Sequence, residues 1–223
     1  MLHKYKAVVL DGPAGVGKST VAKALARKLE YEYIDTGAMY RAVTLFALEN
    51  DIPIELANQQ RLLELVQTDS FNFIFDQELL RVFYGDREIT SEIRSHAVTQ
   101  NVSHVAALPT IRVGLRNIQR QMADNANVVM EGRDIGTAVL PQAQYKFFLT
   151  ASVSTRAKRR HQELKGKGKE VQLGAIQAEI QVRDQLDSSR EHSPLRKAED
   201  AIEIDTTDLN IAQVLALILS YVK

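Results

Sequence analysis

Gly12-Pro13-Ala14-Gly15-Val16-Gly17-Lys18-Ser19 matches G-x-x-x-x-G-K-[ST]. Glycines at this spacing let the backbone curl so that successive N–H groups point at phosphate oxygens. A helix beginning near Lys18 adds the positive end of its dipole. Lys18 brings a mobile positive charge to the β- and γ-phosphates, and Ser19 offers a hydroxyl to Mg²⁺. Gly12, Pro13, Ala14, Gly15, Val16, Gly17, Lys18, Ser19 and Thr20 are therefore read as a nucleoside triphosphate site, with Ser19 as the metal ligand. The competing reading is a chance match in a glycine-rich turn. A strand before the loop and a helix after it weigh against that. The motif implies a nucleoside triphosphate but not a reaction.

The arginines narrow the reaction. Transfer of a phosphoryl group between two anions concentrates negative charge, which Arg and Lys must neutralise from several sides. Arg41, Arg133, Arg183 and Arg190 lie in polar loop or loop-edge segments, which favours a site role over a solvated one. Arg183 and Asp187 are four apart, so one helical face presents both; a surface ion pair is the bland reading. Arg156, Arg159 and Arg160 share a helix beside the Lys/Gly stretch 165–169. A basic run of this kind suits a nucleic-acid patch, a solvated face or a lid. A lid over ATP is favoured because closure excludes water from the transferring phosphate. Lys158, Lys165 and Lys169 are left to the solvated face. A guanine-reading N-K-x-D, which a small GTPase needs, is absent.

The elements that must hold these residues alternate. Apolar residues 6–10 read as a strand, and Val21, Leu25 and Leu29 recur at helical spacing after the loop. Further strands are read at 33–35, 127–130, 145–150 and 201–204, and helices at 38–49, 59–66, 111–122, 154–164, 175–186 and 209–221. Strands alternating with helices argue for a five-stranded parallel α/β sheet covered on both faces, whose ligands collect at the carboxyl ends of the strands. Residues 71–75 and 80–84 alternate instead, with a turn at 76–78 and a third strand at 88–90, as in an antiparallel meander. This predicts one domain over 1–223. Within it, about 36–110 forms an acceptor lobe with a small β insertion at about 70–93, and about 154–172 forms a helical lid.

Four motifs occur in order: the phosphate loop; Asp35-Thr36-Gly37-Ala38-Met39-Tyr40-Arg41; Gly132-Arg133-Asp134-Ile135-Gly136-Thr137; and Arg183-Asp184 with Asp187 and Arg190. Together they resemble the bacterial cytidylate kinases of the nucleoside monophosphate kinase family, over nearly the whole chain and including the inserted meander. Glu131 stands where some relatives carry Asp. The resemblance implies ATP-dependent phosphorylation of CMP and dCMP with Mg²⁺. It assigns Asp134 to the cytosine amino group, and Ser103, Arg112 and Arg190 to the other base contacts. Arg183 and Asp187 fall at the sugar, Arg41 and Arg133 at the acceptor phosphate, and Thr36, Gly37 and Tyr40 beside them. Lys18, Arg41, Arg133, Arg156 and Arg160 form the expected catalytic set. The acceptor is already an anion near pH 7, so no general base is required. Asp35 ends a strand and has two readings, ordering Mg²⁺ through water or capping a helix.

Composition is consistent with this. Lys plus Arg and Asp plus Glu number 28 each in 223 residues, so no overall field draws the chain to nucleic acid or an anionic membrane. Cysteine is absent, which removes disulfides and thiolate metal sites. No apolar run reads as a signal peptide or a membrane span, and a cytoplasmic monomer acting on free nucleotides is the expectation. Two rivals remain: a kinase for another small metabolite, such as shikimate, dephospho-coenzyme A or a different nucleotide, and a regulatory protein that uses ATP only as a conformational ligand. The latter needs no second phosphate cradle.

Overall fold

The fold is taken from a computed structural model that describes residues 5–67, 71–75 and 80–222. The turn predicted at 76–78 and the predicted start of the insertion at Ser70 lie outside the described residues. Five parallel strands form one sheet in the order β2-β6-β1-β7-β8: β1 is Ala7–Asp11, β2 Glu32–Asp35, β6 Val128–Gly132, β7 Tyr145–Thr150 and β8 Ile202–Asp205. Val8, Val9 and Leu10 of β1, and Val128, Val129 and Met130 of β6, are fully buried. Continuous apolar runs of this kind suit parallel strands covered on both faces. The chain divides into two compact units, Met1–Ala7 with Ala26–Glu131, and Val8–Leu25 with Gly132–Lys223.

In the first unit, α2 (Thr36–Glu49) follows β2 directly. Asp35 caps it by accepting the Ala38 N–H at 3.1 Å, satisfying one of the amides that a helix start leaves without a partner. α3 (Gln59–Gln67) packs on α5 (Pro109–Asn125). β3 (Phe71–Phe75), β4 (Leu80–Tyr84) and β5 (Arg87–Glu88) form the antiparallel meander in register Phe71↔Tyr84 and Phe83↔Glu88. Its inner face shares a core with α2: Leu80, Val82 and Ile89 pack with Ala38, Ala42, Leu45, Ile93 and Val98. The Tyr84 ring lies 5.1 Å from Phe71 and 5.2 Å from Phe46.

One helix here has no counterpart in the sequence reading. α4 (His96–Val105) is capped by Ser95, whose side chain accepts the Val98 N–H. Its buried Val98, Val102 and Val105 recur at i, i+4 and i+7, a helical period that the sequence HAVTQNVSHV does carry. Ser103 therefore sits on a helix, and the connection to α5 is only residues 106–108.

In the second unit, β1 runs through the phosphate loop into α1 (Lys18–Leu29), whose Val21, Ala22 and Leu25 are buried. α6 (Val153–Gly166) and α7 (Leu173–Ser188) pack through Ala157, Ile176 and Ile180. α6 extends into the Lys/Gly stretch, ending at Gly166. β8 leads to α8 (Ile211–Tyr221), which opens with a reciprocal capping box between Asn210 and Gln213. Because β1, β7 and β8 are parallel, the loops that follow them leave the same edge of the sheet. Among the described residues, no helix is long and apolar enough to cross a membrane.

Two glycines test how rigid this frame is. Gly12 has φ +146°, and a Cβ there would overlap the backbone carbonyl oxygen of Leu149 on β7. A Cβ on Gly114 of α5 would meet only the tip of the Leu63 side chain, which can rotate. Gly12→Ala is expected to lower the unfolding free energy by about 3 kcal/mol or more, and Gly114→Ala by about 1 kcal/mol or less. Urea midpoints of the two variants provide the comparison, and equal losses would contradict it.

Candidate active site

The second unit carries the phosphate loop. Gly12, Gly15 and Gly17 have positive φ, which turns the backbone inward while Ala14 and Val16 anchor in the core. Lys18 is buried, and its ammonium donates to the carbonyls of Gly12 at 2.7 Å and Pro13 at 2.8 Å. The lysine thus spans the base of its own loop. Ser19 and Thr20 stand exposed in the first turn of α1. Among the described residues, no group of three or more acidic, His or Cys side chains could hold a metal ion. The first turn of α1 presents the hydroxyls of Ser19 and Thr20 beside the loop.

The basic helix α6 is fastened to this loop. Arg156 is buried, donates to the carbonyls of Ala14 and Ala151 at 3.0 Å each, and pairs with Asp184 of α7 at 2.7 Å. Arg159 reaches Thr206 Oγ1 at 3.0 Å and the Thr206 carbonyl at 2.5 Å. Thr206 in turn donates to the Thr150 carbonyl at 3.0 Å. Arg160 behaves differently, pairing with Glu163 one turn along at the surface. Of the two arginines expected in the catalytic set on this helix, Arg156 is buried against the loop and Arg160 is half-buried beside Glu163.

After β6, Arg133 donates from Nε to Asp187 Oδ2 at 2.9 Å. The i,i+4 spacing brings the charge of Arg183 to bear on Asp187; Arg133 bonds that carboxylate, and Arg190 donates to the Asp187 carbonyl at 3.2 Å. Burial alone would push Asp187 up, but the charges of Arg133, Arg183 and Arg190, with the Arg133 hydrogen bond, hold it below the ordinary carboxylate range. Three guanidinium groups around one carboxylate leave an excess of positive charge, as an anion site requires. Asp134 is buried beside this cluster in sequence, and a single π-helical turn, Ile135–Val139, follows it.

Asp11 carries a role that the sequence reading missed. It is buried, and its two oxygens accept the N–H groups of Ile135 at 3.0 Å and Gly136 at 2.8 Å. Burial pushes its carboxyl up to about 6; the two backbone hydrogen bonds and Lys18 oppose that shift, and Asp134 adds to it. The sequence does contain a signal, because a carboxylate closing an otherwise apolar strand needs buried partners.

The first unit holds the remaining candidates. Arg41 donates to Thr99 Oγ1 at 2.9 Å and to the Ile93 carbonyl at 3.2 Å. Arg112 is buried, donates to the Ala106 carbonyl at 2.9 Å, and lies 5.5 Å over the Tyr40 ring. Ser103 is buried on α4. Thr36 donates to the Glu131 carbonyl at 2.7 Å, and Tyr33 donates to the Glu131 carboxylate. Gly37 follows at the start of α2, packed against the capping carboxylate of Asp35. That carboxylate, which caps α2, also pairs with Arg94 at 3.3 Å.

Comparison with known proteins gives a consistent result. The family model described as cytidylate kinase matches residues 8–223. A cytidylate kinase of Exiguobacterium sibiricum is 52% identical over 94% of this chain and 93% of its own. One from Carboxydothermus hydrogenoformans is 50% identical over 96% of each, and one from Listeria monocytogenes is 51% identical over 98% and 96%. A solved structure of an uncharacterized protein from Eubacterium ventriosum shares the fold, with a TM-score of 0.53 and 15% identity over 98% of each chain.

Two measurements check the electrostatics. Arg156→Ala is expected to lower the unfolding free energy by about 3 kcal/mol, because Asp184 and two carbonyls lose a buried donor. Arg160→Ala, at a half-exposed pair, should cost less than about 1 kcal/mol. Similar losses in chemical denaturation would refute the bracing role of Arg156. Asp187 is ionised more readily in the folded chain than in the unfolded one. Its stabilisation is therefore complete above the ordinary carboxylate pKa and disappears as pH falls through its depressed value. Denaturation followed across that acid window should show a shallower loss in Asp187→Asn than in the parent chain.

Proposed function

The chain belongs to the cytidylate kinase family, whose members are ATP-dependent nucleoside monophosphate kinases, and from that premise we propose how its residues transfer the γ-phosphoryl group of ATP to CMP and dCMP, giving CDP and dCDP. The observation that carries the residue assignment is the second cationic cluster. Beside a complete phosphate loop, the same unit places Arg133, Arg183 and Arg190 around Asp187. A protein that used ATP only as a conformational ligand would need the loop alone.

The residue roles follow from charge and hydrogen-bonding capacity. The loop from Gly12 to Thr20 cradles the triphosphate with backbone N–H groups, and Lys18 moves from its loop carbonyls to the β- and γ-phosphates. Ser19 offers its hydroxyl to Mg²⁺, whose charge offsets that of the phosphates. Arg41 and Arg133 hold the acceptor phosphate, with Thr36, Gly37 and Tyr40 beside it. Asp187 and Arg183 take the sugar. Asp134 accepts from the cytosine amino group, and Ser103, Arg112 and Arg190 donate to the ring acceptors. The acceptor phosphate is already anionic near neutral pH, so no side chain has to remove a proton. Rate enhancement comes from alignment and charge neutralisation.

Residues 36–110 act in this reading as the acceptor lobe and 154–172 as the lid. Equal numbers of acidic and basic residues support free nucleotides rather than nucleic acid as substrates, handled by a cytoplasmic monomer.

Base choice is the sharpest test. Uracil presents an acceptor where cytosine presents an amino group, so a carboxylate at Asp134 attracts one base and repels the other. Parent chain and Asp134→Ala are compared by kcat/KM for CMP and UMP at fixed ATP, with ADP release coupled to an optical readout. The CMP:UMP preference is expected to shrink by about 10²-fold. An unchanged ratio with both rates lowered would make Asp134 a brace for the loop and would overturn this account of base recognition.

A further inference from the structure

β1 ends in Asp11, the residue before the phosphate loop, and the rest of the strand is apolar. Its two carboxylate oxygens are divided between two backbone amides, Oδ1 to Ile135 and Oδ2 to Gly136. These amides open a π-helical turn, so no helical carbonyl lies upstream to receive them. They also follow directly on Arg133 and Asp134. Gly136 fits closely here: a Cβ would lie 3.2 Å from the Lys146 side chain and 3.4 Å from Asp11 Oδ2.

The segment that carries Arg133 and Asp134 is thus held by one buried side chain at the start of the phosphate loop. We infer that Asp11 is a positioning residue for the acceptor nucleotide: by accepting the Ile135 and Gly136 amides with one oxygen each, it sets where Arg133 and Asp134 stand relative to the phosphate loop. This rests on the reading of Arg133 and Asp134 as acceptor contacts. Asp11 itself touches no reacting atom. Both of its oxygens are engaged with backbone, and it acts only through the segment that it holds.

An ionised carboxylate offers a strong acceptor to each amide. Protonation leaves the hydroxyl oxygen a weaker acceptor and adds a proton that needs its own partner, and Asn replaces one acceptor with an NH₂ donor that faces an N–H group. Burial is the largest influence on Asp11; the hydrogen bonds from Gly136 and Ile135 and the charge of Lys18 oppose it and Asp134 adds to it, together placing the carboxyl at about 6. Lys146 of β7 also lies against Gly136, with its ammonium held by Asp200 and the Pro141 carbonyl. The anchoring is therefore complete above that pH and weakens as pH falls through it.

The first arm of the test uses the intact, ligand-free chain labelled with ¹⁵N. The Ile135 and Gly136 amide resonances should shift with a midpoint near pH 6, and the inflection should be absent in Asp11→Asn. No substrate is present, which matters because a phosphate monoester titrates in the same range, at about 6. The second arm is kinetic, at a pH where the carboxylate is ionised. Asp11→Asn should lower kcat/KM for CMP by about 10-fold or more while KM for ATP moves less than about 2-fold. In an Asp134→Ala background the same substitution should cost less than in the parent chain, since the part of its effect that passes through Asp134 is already lost while the part that passes through Arg133 remains. Amides that do not titrate with Asp11 would overturn the inference. So would an equal loss toward ATP and CMP, which is what a general loosening of the fold produces. If Arg133→Ala and Asp134→Ala leave CMP handling intact, the acceptor reading fails and the inference falls with it. The amide titration, which persists in that case, tells this outcome from a failure of the Asp11 contact itself.

Discussion

A carboxylate or guanidinium taken out of water costs several kcal/mol unless hydrogen bonds and opposite charge replace the solvent. The second unit buries Asp11, Lys18, Asp134, Arg156, Asp187 and Arg190. Satisfying them accounts for much of its local architecture. Asp11 draws in the first amides of the π-helical turn, Arg156 ties α6 to the loop and to α7, and Asp187 collects arginines from two segments distant in sequence. Each contact joins parts of the chain that hydrophobic packing alone would leave free to slide.

The same requirement explains why the loop is already shaped before any ligand is considered. Lys18 donates to two carbonyls of its own loop, which fixes its ammonium at the base of the loop. The glycines remove the steric objection to a backbone curled with its amides inward, and Gly12 also admits the Leu149 carbonyl against its own α-carbon. Preorganised donors of this type act where charge develops, without the reorganisation that water would need.

The first unit meets the problem with fewer charges and more packing. Arg112 is covered by the Tyr40 ring and held at the Ala106 carbonyl, and Arg41 is fixed by Thr99 and the Ile93 carbonyl. The meander below them contributes an apolar face rather than chemistry. Its inner residues share the core of α2, which steadies the helix that carries Thr36, Gly37, Tyr40 and Arg41.

The sequence by itself determined the elements whose cause is local. The phosphate loop, the alternation of buried strands with helices, and the period-two pattern of the meander were all legible because backbone curl, burial on both faces and burial on one face each leave a pattern within about ten residues. Residue chemistry likewise marked Arg41, Arg133, Arg183 and Arg190 as unusual for a solvated surface. α4 escaped although Val98, Val102 and Val105 keep helical spacing, because a ten-residue helix carries only these three such positions. The partners of the charges escaped for a different reason. That Asp11 receives residues 124 and 125 positions away, that Asp187 takes Arg133, and that Arg156 braces a loop while Arg160 pairs with Glu163 are consequences of strand order and helix rotation. Hydrogen bonds and ion pairs act over a few ångströms in space, and only the tertiary structure decides which residues come that close.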